Sequence, residues 1–308
     1  MEIPVLDWQR FTTGEDVDGF VRDLGRACRE TGFFLITGHG IPDDLIKDVF
    51  AKGDMFFARP MAEKSKVDIR NNPHNRGWAC EGSESLDETS GQMDRKEAFN
   101  VGLDLAADDP RVLNGEPFRG VNIWPEVEGF RDTMLAYYDH IWALSRALHR
   151  AFELDLNLPQ DYFAPHFTAP LATLRVLSYP AATDGAGIGA GAHTDYGSIT
   201  LLMTDGVGGL QVKPRGLDWI DAPHVPGAYV VNIGDCLMRW SNDIYVSTPH
   251  RVLPPKTARR SIAFFLDPNP DSVITALPGT GEAKYAAITG ADYLRSRLDA
   301  TYTPKDIT

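Results

Sequence analysis

The first third of the chain alternates between strand-like and helix-like hydrophobic patterns. The segment IPVLDW predicts a short strand, and apolar residues from Phe20 to Cys28 recur at the spacing of a helix. The next apolar run, FFLITGH, is typical of a buried strand. Pro42 and the two acidic residues after it predict the first turn of another helix, because proline and acidic side chains both suit that position. We therefore expect a mixed amino-terminal region.

The strongest helical pattern lies between Val127 and Leu154, where apolar residues recur every three or four positions. His140 and His149 fall in this helix, and we expect each of them at its surface or boundary rather than bound to a metal. The stretch 286–302 returns to helical spacing. Both stretches predict helices that pack on a core through one face.

From Ala172 to Leu266 the pattern changes to short runs of β-branched and aromatic residues, separated by Gly, Pro, Asn and Asp. The runs that predict strands are ATLRVLSYP, ITLLM, GLQV, AYVVNIG, IYVST and SIAFFLD. Short strands at this spacing are typical of an antiparallel barrel or sandwich. We therefore expect a mainly β fold with flanking helices.

Composition narrows the classes of function. The 308 residues include 30 basic and 43 acidic ones, and the formal net charge of −13 repels phosphate backbones and anionic lipid surfaces. No apolar run approaches the roughly 18 residues of a membrane span, and the amino terminus lacks the pattern of a secretory signal. The cysteines Cys28, Cys80 and Cys236 are too scattered for a disulfide framework or a CxxC zinc site. We expect a cytoplasmic protein without nucleic-acid or membrane partners.

Candidate metal ligands lie in the β-rich part. His193 and Asp195 stand two residues apart in the segment AHTDYG, so in a strand their side chains would point to the same face. His250 follows after enough chain for two or three hairpins. Two imidazoles and one carboxylate leave open the positions that Fe(II) oxygenases use for O₂ and an organic ligand. This pattern predicts a mononuclear iron site, although a His-x-Asp pair alone also occurs in strands by chance.

A second polar pair follows in the segment RRSIAFFL. Alternation along a strand places Arg259 and Ser261 on one face and Arg260 on the other. A guanidinium beside a hydroxyl can hold one carboxylate, and a buried arginine requires an anion nearby. We expect a bound oxo acid at this pair, and the alternative is that Arg259 is a surface cation beside Arg260.

In this order the motifs resemble those of the Fe(II)/2-oxoglutarate-dependent dioxygenases, in the isopenicillin N synthase-like branch. The similarity extends over nearly the whole chain, and the segments that carry it include GFFLITGHGIPDDLI, RGWACEGSES, DRKEAFNVG, LRVLSYP, GAHTDYGSITLL, GAYVVNIGD and SNDIYVSTPHRV. The resemblance implies a double-stranded β-helix, or jelly roll, flanked by helices. It also implies an enzyme that uses O₂, Fe(II) and 2-oxoglutarate to oxidise a small metabolite, with release of succinate and CO₂.

The resemblance further assigns roles to individual residues. The His-x-Asp pair and His250 would be the iron ligands, and Arg259 with Ser261 would bind the distal carboxylate of 2-oxoglutarate. Tyr179 matches a tyrosine that often joins this carboxylate site. Many relatives have Asn where this chain has Leu177, so we expect the metal-proximal end of the co-substrate to be held differently here.

With this resemblance, we interpret the chain as a single dioxygenase domain over residues 1–308. Its expected regions are an amino-terminal mixed helical region (1–110), a long-helix segment (111–170), the jelly-roll core with the metal site (171–270) and a carboxy-terminal helical tail (271–308). The segment 71–94 has no periodicity and exceeds an ordinary loop, which is typical of a loop that borders a pocket. The glycine-rich segment 184–191 leads into the metal motif instead of opening a helix, so we do not expect a phosphate-binding loop there.

The prime substrate stays open, as does the choice between hydroxylation, desaturation and ring chemistry. Arg175 shares the strand face of Leu177 and would either meet an anionic substrate or pair with an acid. Other side chains that we expect near the substrate are Trp78, Phe99, Val101 and Tyr285. Candidates for supporting the metal ligands from outside are Asn232, Asp235 and Asn242.

Two other functions remain possible on the sequence. One is an oxidase like isopenicillin N synthase, which takes its electrons from the substrate and uses the equivalent arginine and serine for a substrate carboxylate. The other is a jelly-roll protein that binds metal without turnover. The sequence leaves the oligomeric state open.

Overall fold

Two facing β-sheets form the centre of the fold in the computed structural model, which describes residues 2–86, 93–182 and 187–302. Within these ranges the strands are β1 (Val5–Asp7), β2 (Phe33–Thr37), β3 (Gly77–Ala79), β4 (Glu97–Gly102), β5 (Thr173–Tyr179), β6 (Ala190–His193), β7 (Ile199–Thr204), β8 (Leu210–Val212), β9 (Ile220–Asp221), β10 (Tyr229–Ile233), β11 (His250–Val252), β12 (Arg259–Leu266), β13 (Val273–Ile274) and β14 (Ile288–Thr289). The α-helices are α1 (Gln9–Thr12), α2 (Val17–Glu30), α3 (Asp43–Phe57), α4 (Met61–Lys64), α5 (Pro110–Leu113), α6 (Phe130–Asp155), α7 (Asp235–Trp240) and α8 (Gly290–Tyr302). No helix in the described ranges has the length and apolarity to span a membrane.

The larger sheet has the strand order β1-β2-β10-β7-β12-β5-β4-β3, and the smaller one the order β6-β11-β8-β9. Neighbouring strands pair antiparallel except β1 with β2. The amino-terminal region thus contributes strands to the large sheet in addition to helices. This arrangement is the antiparallel sandwich with flanking helices that the sequence predicts.

Alternation along β12 shows how the two faces of the large sheet differ. Ile262, Phe264 and Leu266 point into a core that also contains the apolar side of the long helix α6. Ala263, between them, belongs to a second core that lies between the two sheets. The helices therefore cover one face of the large sheet, and the other face lines the interior of the sandwich.

Most of the predicted elements are present, and their ends follow local chemistry. The first long helix, α2, begins after Asp16, whose carboxylate accepts a hydrogen bond from the backbone N–H of Gly19. It ends just before Gly32, which adopts φ +65°, a conformation that glycine reaches without strain. The next element, β2, lies between β1 and β10 in the large sheet.

Three expectations are wrong in detail. His149 is buried instead of lying at a surface or boundary, because its Nδ1 contacts the Ser145 carbonyl and its Nε2 contacts the Ser198 hydroxyl, both at 2.8 Å. Burial lowers the pKa of His149 to about 4, so the ring is neutral. The run IYVST does not form a strand. Its residue Tyr245 is buried, and the hydroxyl of Tyr245 donates a hydrogen bond to the Asp155 carboxylate at 2.7 Å. The carboxy-terminal helix begins only at Gly290, after a short strand.

The two irregular segments are described in part. The loop within 71–94 contains the short strand β3, and its residues 87–92 lie outside the described part of the chain. Ser83, Glu84, Ser85 and Leu86 of this loop line the interior of the sandwich. Of the glycine-rich segment 184–191, residues 184–186 also lie outside the described part.

Candidate active site

A cavity of about 430 Å³ lies between the two sheets. Strand β5 lines it with alternate residues from Thr173 to Tyr179, and the carboxy-terminal helix α8 lines it with Leu294 and Leu298. This volume lies within the range of about 300–1,000 Å³ that is usual for small-molecule sites. The cavity also contains all three predicted metal ligands.

His193, Asp195 and His250 are brought together by the smaller sheet. Strand β11 pairs with β6 so that His250 lies directly opposite His193. The carboxylate Oδ1 of Asp195 lies 3.7 Å from Nε2 of His193 and 3.6 Å from Nε2 of His250. One potential ligand atom from each residue lies within 4.8 Å of the others, so a single ion can contact all three.

The position of Asp195 does not follow from strand alternation. Strand β6 ends at His193, and Asp195 lies in the loop that leads to β7. Its backbone is held instead by the N–H of Asp235, which donates to the Asp195 carbonyl at 2.7 Å. The predicted proximity of the two ligands is therefore found, but its physical reason is a loop anchored to the start of helix α7.

Both imidazoles are oriented from behind. Nδ1 of His193 lies 2.7 Å from the Gly191 carbonyl, and Nδ1 of His250 lies 3.3 Å from the Thr248 carbonyl. Because a carbonyl oxygen only accepts hydrogen bonds, each Nδ1 carries the proton and each Nε2 keeps a lone pair. This is the tautomer in which a histidine binds a metal through Nε2.

The Asp195 carboxylate is oriented in the same way. Its Oδ2 accepts hydrogen bonds from the Thr200 hydroxyl at 2.6 Å and the Asn232 amide at 2.8 Å, which leaves Oδ1 to face the imidazoles. Asn232 is a predicted supporting residue, whereas nothing in the sequence pattern indicates Thr200. Asn242, another predicted supporter, instead binds backbone carbonyls in the segment 280–282.

Electrostatic interactions and burial lower the pKa values of His193 and Asp195. Burial and the facing imidazole of His250 lower the pKa of His193 to about 4, so its ring is neutral near pH 7. Burial alone would raise the pKa of Asp195, but the two imidazoles and the two hydrogen bonds outweigh it and lower that pKa. Two imidazoles and one carboxylate, with the cavity on their open side, fit a mononuclear Fe(II) ion.

Arg259 and Ser261 lie on the cavity face of β12, as strand alternation predicts. Arg259 is only 1% exposed, its Nη1 donates to the Ser261 hydroxyl at 3.4 Å, and its guanidinium lies 4.8 Å from the ring centroid of Tyr179. Arg260 points the other way and pairs with Asp54 and Asp205 at the surface. Arg259 is thus not a surface cation, and within the described ranges no carboxylate of the chain pairs with it.

Arg175 lines the cavity and pairs with an acid. Its Nη2 lies 2.5 Å from Oε2 of Glu84, which is also 3.3 Å from Nζ of Lys96. Burial would raise the pKa of Glu84, but Arg175 and Lys96 lower it to about 2. Of the two alternatives for Arg175, the structure shows the acid pair. Local sequence patterns gave no signal for Glu84 or Lys96, because these contacts join segments far apart in the chain.

Four residues that we expected near the substrate lie elsewhere. Trp78, Phe99 and Val101 are buried in the core beneath the helices, because β4 turns Asn100 and Gly102, not its odd-numbered residues, toward the sandwich interior. Tyr285 donates to Asp243 at 2.8 Å outside the cavity, with the guanidinium of Arg239 over its ring. None of these four residues lines the cavity.

Helix α8 is attached to the loop that contains Asp195. Arg297 lies over the ring of Tyr196, 4.8 Å from its centroid, and pairs with Asp235 at 3.0 Å. Asp235 in turn accepts a hydrogen bond from the Thr194 hydroxyl at 3.0 Å, between two predicted metal ligands. The tail therefore contributes a wall of the cavity, a role that helical periodicity alone does not reveal.

Comparison with known protein families gives two matches along the chain. Residues 3–127 match a family described as the non-haem dioxygenase in morphine synthesis N-terminal domain. Residues 170–268 match the 2OG-Fe(II) oxygenase superfamily. The second match contains all three metal-site residues as well as Arg259 and Ser261.

Individual proteins resemble the chain over nearly its whole length. The 2-oxoglutarate-Fe(II) type oxidoreductase hxnY of Emericella nidulans is 38% identical, over 97% of this chain and 90% of its own. Homoarginine-6-hydroxylase of Oryza sativa is 34% identical, over 95% and 92%. The crystal structure of a full-length Neurospora crassa protein in complex with alpha-KG has a TM-score of 0.86 and 33% identity, over 97% and 96%. The same Neurospora protein has also been crystallised with alpha-KG and thymine, with a TM-score of 0.85 and 32% identity over 97% of both chains.

Proposed function

Because the chain belongs to the 2OG-Fe(II) oxygenase superfamily, we propose that it oxidises a small polar metabolite at an iron ion held by His193, Asp195 and His250. The protein is a 2-oxoglutarate-dependent Fe(II) dioxygenase with a jelly-roll core, as the resemblance implied. One observation supports the residue assignment above all. The three ligands and the buried Arg259, which has no anionic partner in the described part of the chain, line the same cavity.

Each group in the cavity has a distinct part. Arg259 and Ser261, with Tyr179 beside them, bind the distal carboxylate of 2-oxoglutarate through charge-assisted hydrogen bonds. An Fe(II) ion held in this site would supply the chemistry by which O₂ and 2-oxoglutarate oxidise the substrate, with succinate and CO₂ as the other products. Leu177 lies beside Ser261 and cannot donate a hydrogen bond, so the metal-proximal end of the co-substrate is held by other groups.

The size of the cavity and the names of related proteins support a small substrate. A volume of about 430 Å³ must contain both 2-oxoglutarate and the prime substrate. The Neurospora protein has been crystallised with thymine, and the rice relative is named a homoarginine hydroxylase. Both molecules are small and polar. A cytoplasmic location, the absence of a nucleic-acid partner and a single domain over residues 1–308 stay predictions. The net charge of −13 supports the second of them.

Parallel assays of O₂ and succinate test this function. With Fe(II) protein and a library of small metabolites, we expect O₂ uptake only when 2-oxoglutarate is present, and one succinate formed for each O₂ consumed. O₂ uptake that proceeds without 2-oxoglutarate would support an oxidase like isopenicillin N synthase instead. Metal binding with no O₂ uptake across the library would support a binding protein without turnover.

A further inference from the structure

A second buried arginine, Arg76, lines the cavity. It is 6% exposed, and its Nη1 donates to the backbone carbonyls of His74 at 2.8 Å and Asn75 at 3.4 Å. Its Nε is buried without a hydrogen-bond partner, and no carboxylate in the described ranges pairs with it. Burial lowers the pKa of Arg76 only to about 10, so the side chain is still a cation near neutral pH.

The guanidinium of Arg76 lies against the backbone of Gly102 at the end of β4. A Cβ atom at residue 102 would lie only 1.9 Å from Nη2 of Arg76, so this approach requires glycine. Residues that lie directly opposite one another on neighbouring strands of the large sheet form a row from Gly102 on β4, across β5 and β12, to Thr200 on β7. Thr200 is the residue whose hydroxyl donates to Asp195. Three strand spacings of about 4.8 Å give roughly 14 Å between the two backbone positions.

Asn100 provides a second open polar atom next to Arg76. It is 1% exposed and lines the cavity, and its Oδ1 is buried without a hydrogen-bond partner. Its Nδ2 lies 3.5 Å from the Asn75 carbonyl, which also accepts from Arg76. Both side chains therefore meet at the Asn75 carbonyl, on the Nη1 side of the guanidinium, and Asn100 holds an unused acceptor atom in the same part of the cavity wall.

The charges around the cavity leave Arg76 as the cation without an assigned anion. Arg175 pairs with Glu84, and Lys96 pairs with Asp94. Arg259 is neutralised by 2-oxoglutarate under the proposed function. A buried cation without a counter-ion is unfavourable, and the Nε–Nη2 edge of an arginine is a fork that fits the two oxygens of a carboxylate.

We propose that Arg76 binds a carboxylate of the prime substrate and that Asn100 accepts a hydrogen bond from a neighbouring N–H or O–H group of it. The inference rests on the proposed function and adds the substrate class: a small monocarboxylic acid with a hydrogen-bond donor near the carboxylate. The substrate would lie across the sheet from Gly102 to Thr200. Its carboxylate would contact Arg76, and the carbon to be oxidised would point toward the metal site.

Matched acids and amides test this assignment in protein loaded with Zn(II) and 2-oxoglutarate, which blocks the Arg259 site and prevents turnover. The probes are benzoate and benzamide, 4-hydroxybenzoate and 4-hydroxybenzamide, and proline and prolinamide, with binding measured by calorimetry. We expect at least one acid to bind about tenfold more tightly than its amide, because a hydrogen bond to a charged group is stronger than a neutral one. Arg76→Gln should remove this preference. Arg119→Gln should keep it, since Arg119 is a nearby buried arginine that does not line the cavity.

Asn100→Asp gives a second test that does not depend on loss of Arg76. A carboxylate at this position puts a negative charge near Arg76 and opposes the binding of an acid, so the variant should lose the preference for acids. The inference is wrong if no acid binds better than its amide in the natural protein, or if the preference persists in Arg76→Gln or Asn100→Asp. If the natural Zn(II) protein does not bind 2-oxoglutarate, that result contradicts the proposed function instead.

Discussion

His193→Ala is expected to reduce 2-oxoglutarate-dependent succinate formation by more than about a hundredfold, and Asp195→Ala is expected to do the same. Loss of a residue that only supports a ligand lowers metal affinity or activity about 10- to 100-fold, so loss of a ligand should exceed that range. His193→Ala is the cleaner variant. Asp195→Ala also leaves the Thr200 hydroxyl and the Asn232 amide without their acceptor, so its Tm should be lower as well.

Succinate formation at saturating Fe(II) and 2-oxoglutarate, with the bound iron counted after desalting, measures this effect. His140→Ala is the matched control, because His140 is an exposed histidine of helix α6. It should retain both iron and activity. Full activity in either ligand variant, with Tm showing a folded protein, would exclude this triad as the iron site.

Arg259→Leu is expected to raise the KM for 2-oxoglutarate roughly 30-fold or more. Removing one partner of a buried, hydrogen-bonded charge pair costs about 2–5 kcal/mol, and every 1.4 kcal/mol is about tenfold in affinity. The effect should appear in the KM for 2-oxoglutarate and in its binding to the Fe(II) protein without O₂. Both quantities report on the co-substrate and not on the prime substrate.

Arg260→Leu is the control next to it on the same strand. Arg260 is 40% exposed on its side chain and pairs with the exposed Asp54 and, at 3.4 Å, with the more buried Asp205. Ion pairs of an exposed arginine contribute only about 0–1 kcal/mol to stability. The KM of the Arg260→Leu variant for 2-oxoglutarate should therefore stay close to that of the natural protein. Equal effects of the two substitutions would show that Arg259 is not the specific carboxylate anchor.

Parts of the site that depend on local patterns could be predicted from the sequence. Arg259 and Ser261 lie on β12, a regular strand of eight residues, and strand alternation assigned both to one face. His193 and Asp195 were predicted together from alternation as well, although a loop and not the strand places Asp195. In that case the residue types indicate the pair correctly, whereas strand alternation does not explain its geometry.

Other parts could not be predicted, because they depend on contacts between distant segments. Arg175 pairs with Glu84, and Arg76 lines the cavity, only because the segment before β4 folds over the large sheet. Phe99 and Val101, which we expect near the substrate from the sequence, face the core beneath the helices instead. On β4 five of the six residues are buried, so hydrophobicity alone does not show which face meets the cavity. His149 was misplaced for a similar reason, since its partner Ser198 lies on another segment.

The iron site and the co-substrate site are tested together by an anaerobic titration of the protein with Fe(II) in the presence of 2-oxoglutarate, followed by visible absorption. We expect a weak charge-transfer band that grows to one iron per chain, is absent in His193→Ala and, in Arg259→Leu, needs much more 2-oxoglutarate to form. A natural protein that binds iron but shows no such band with 2-oxoglutarate would contradict the assignment of this cavity to 2-oxoglutarate and iron.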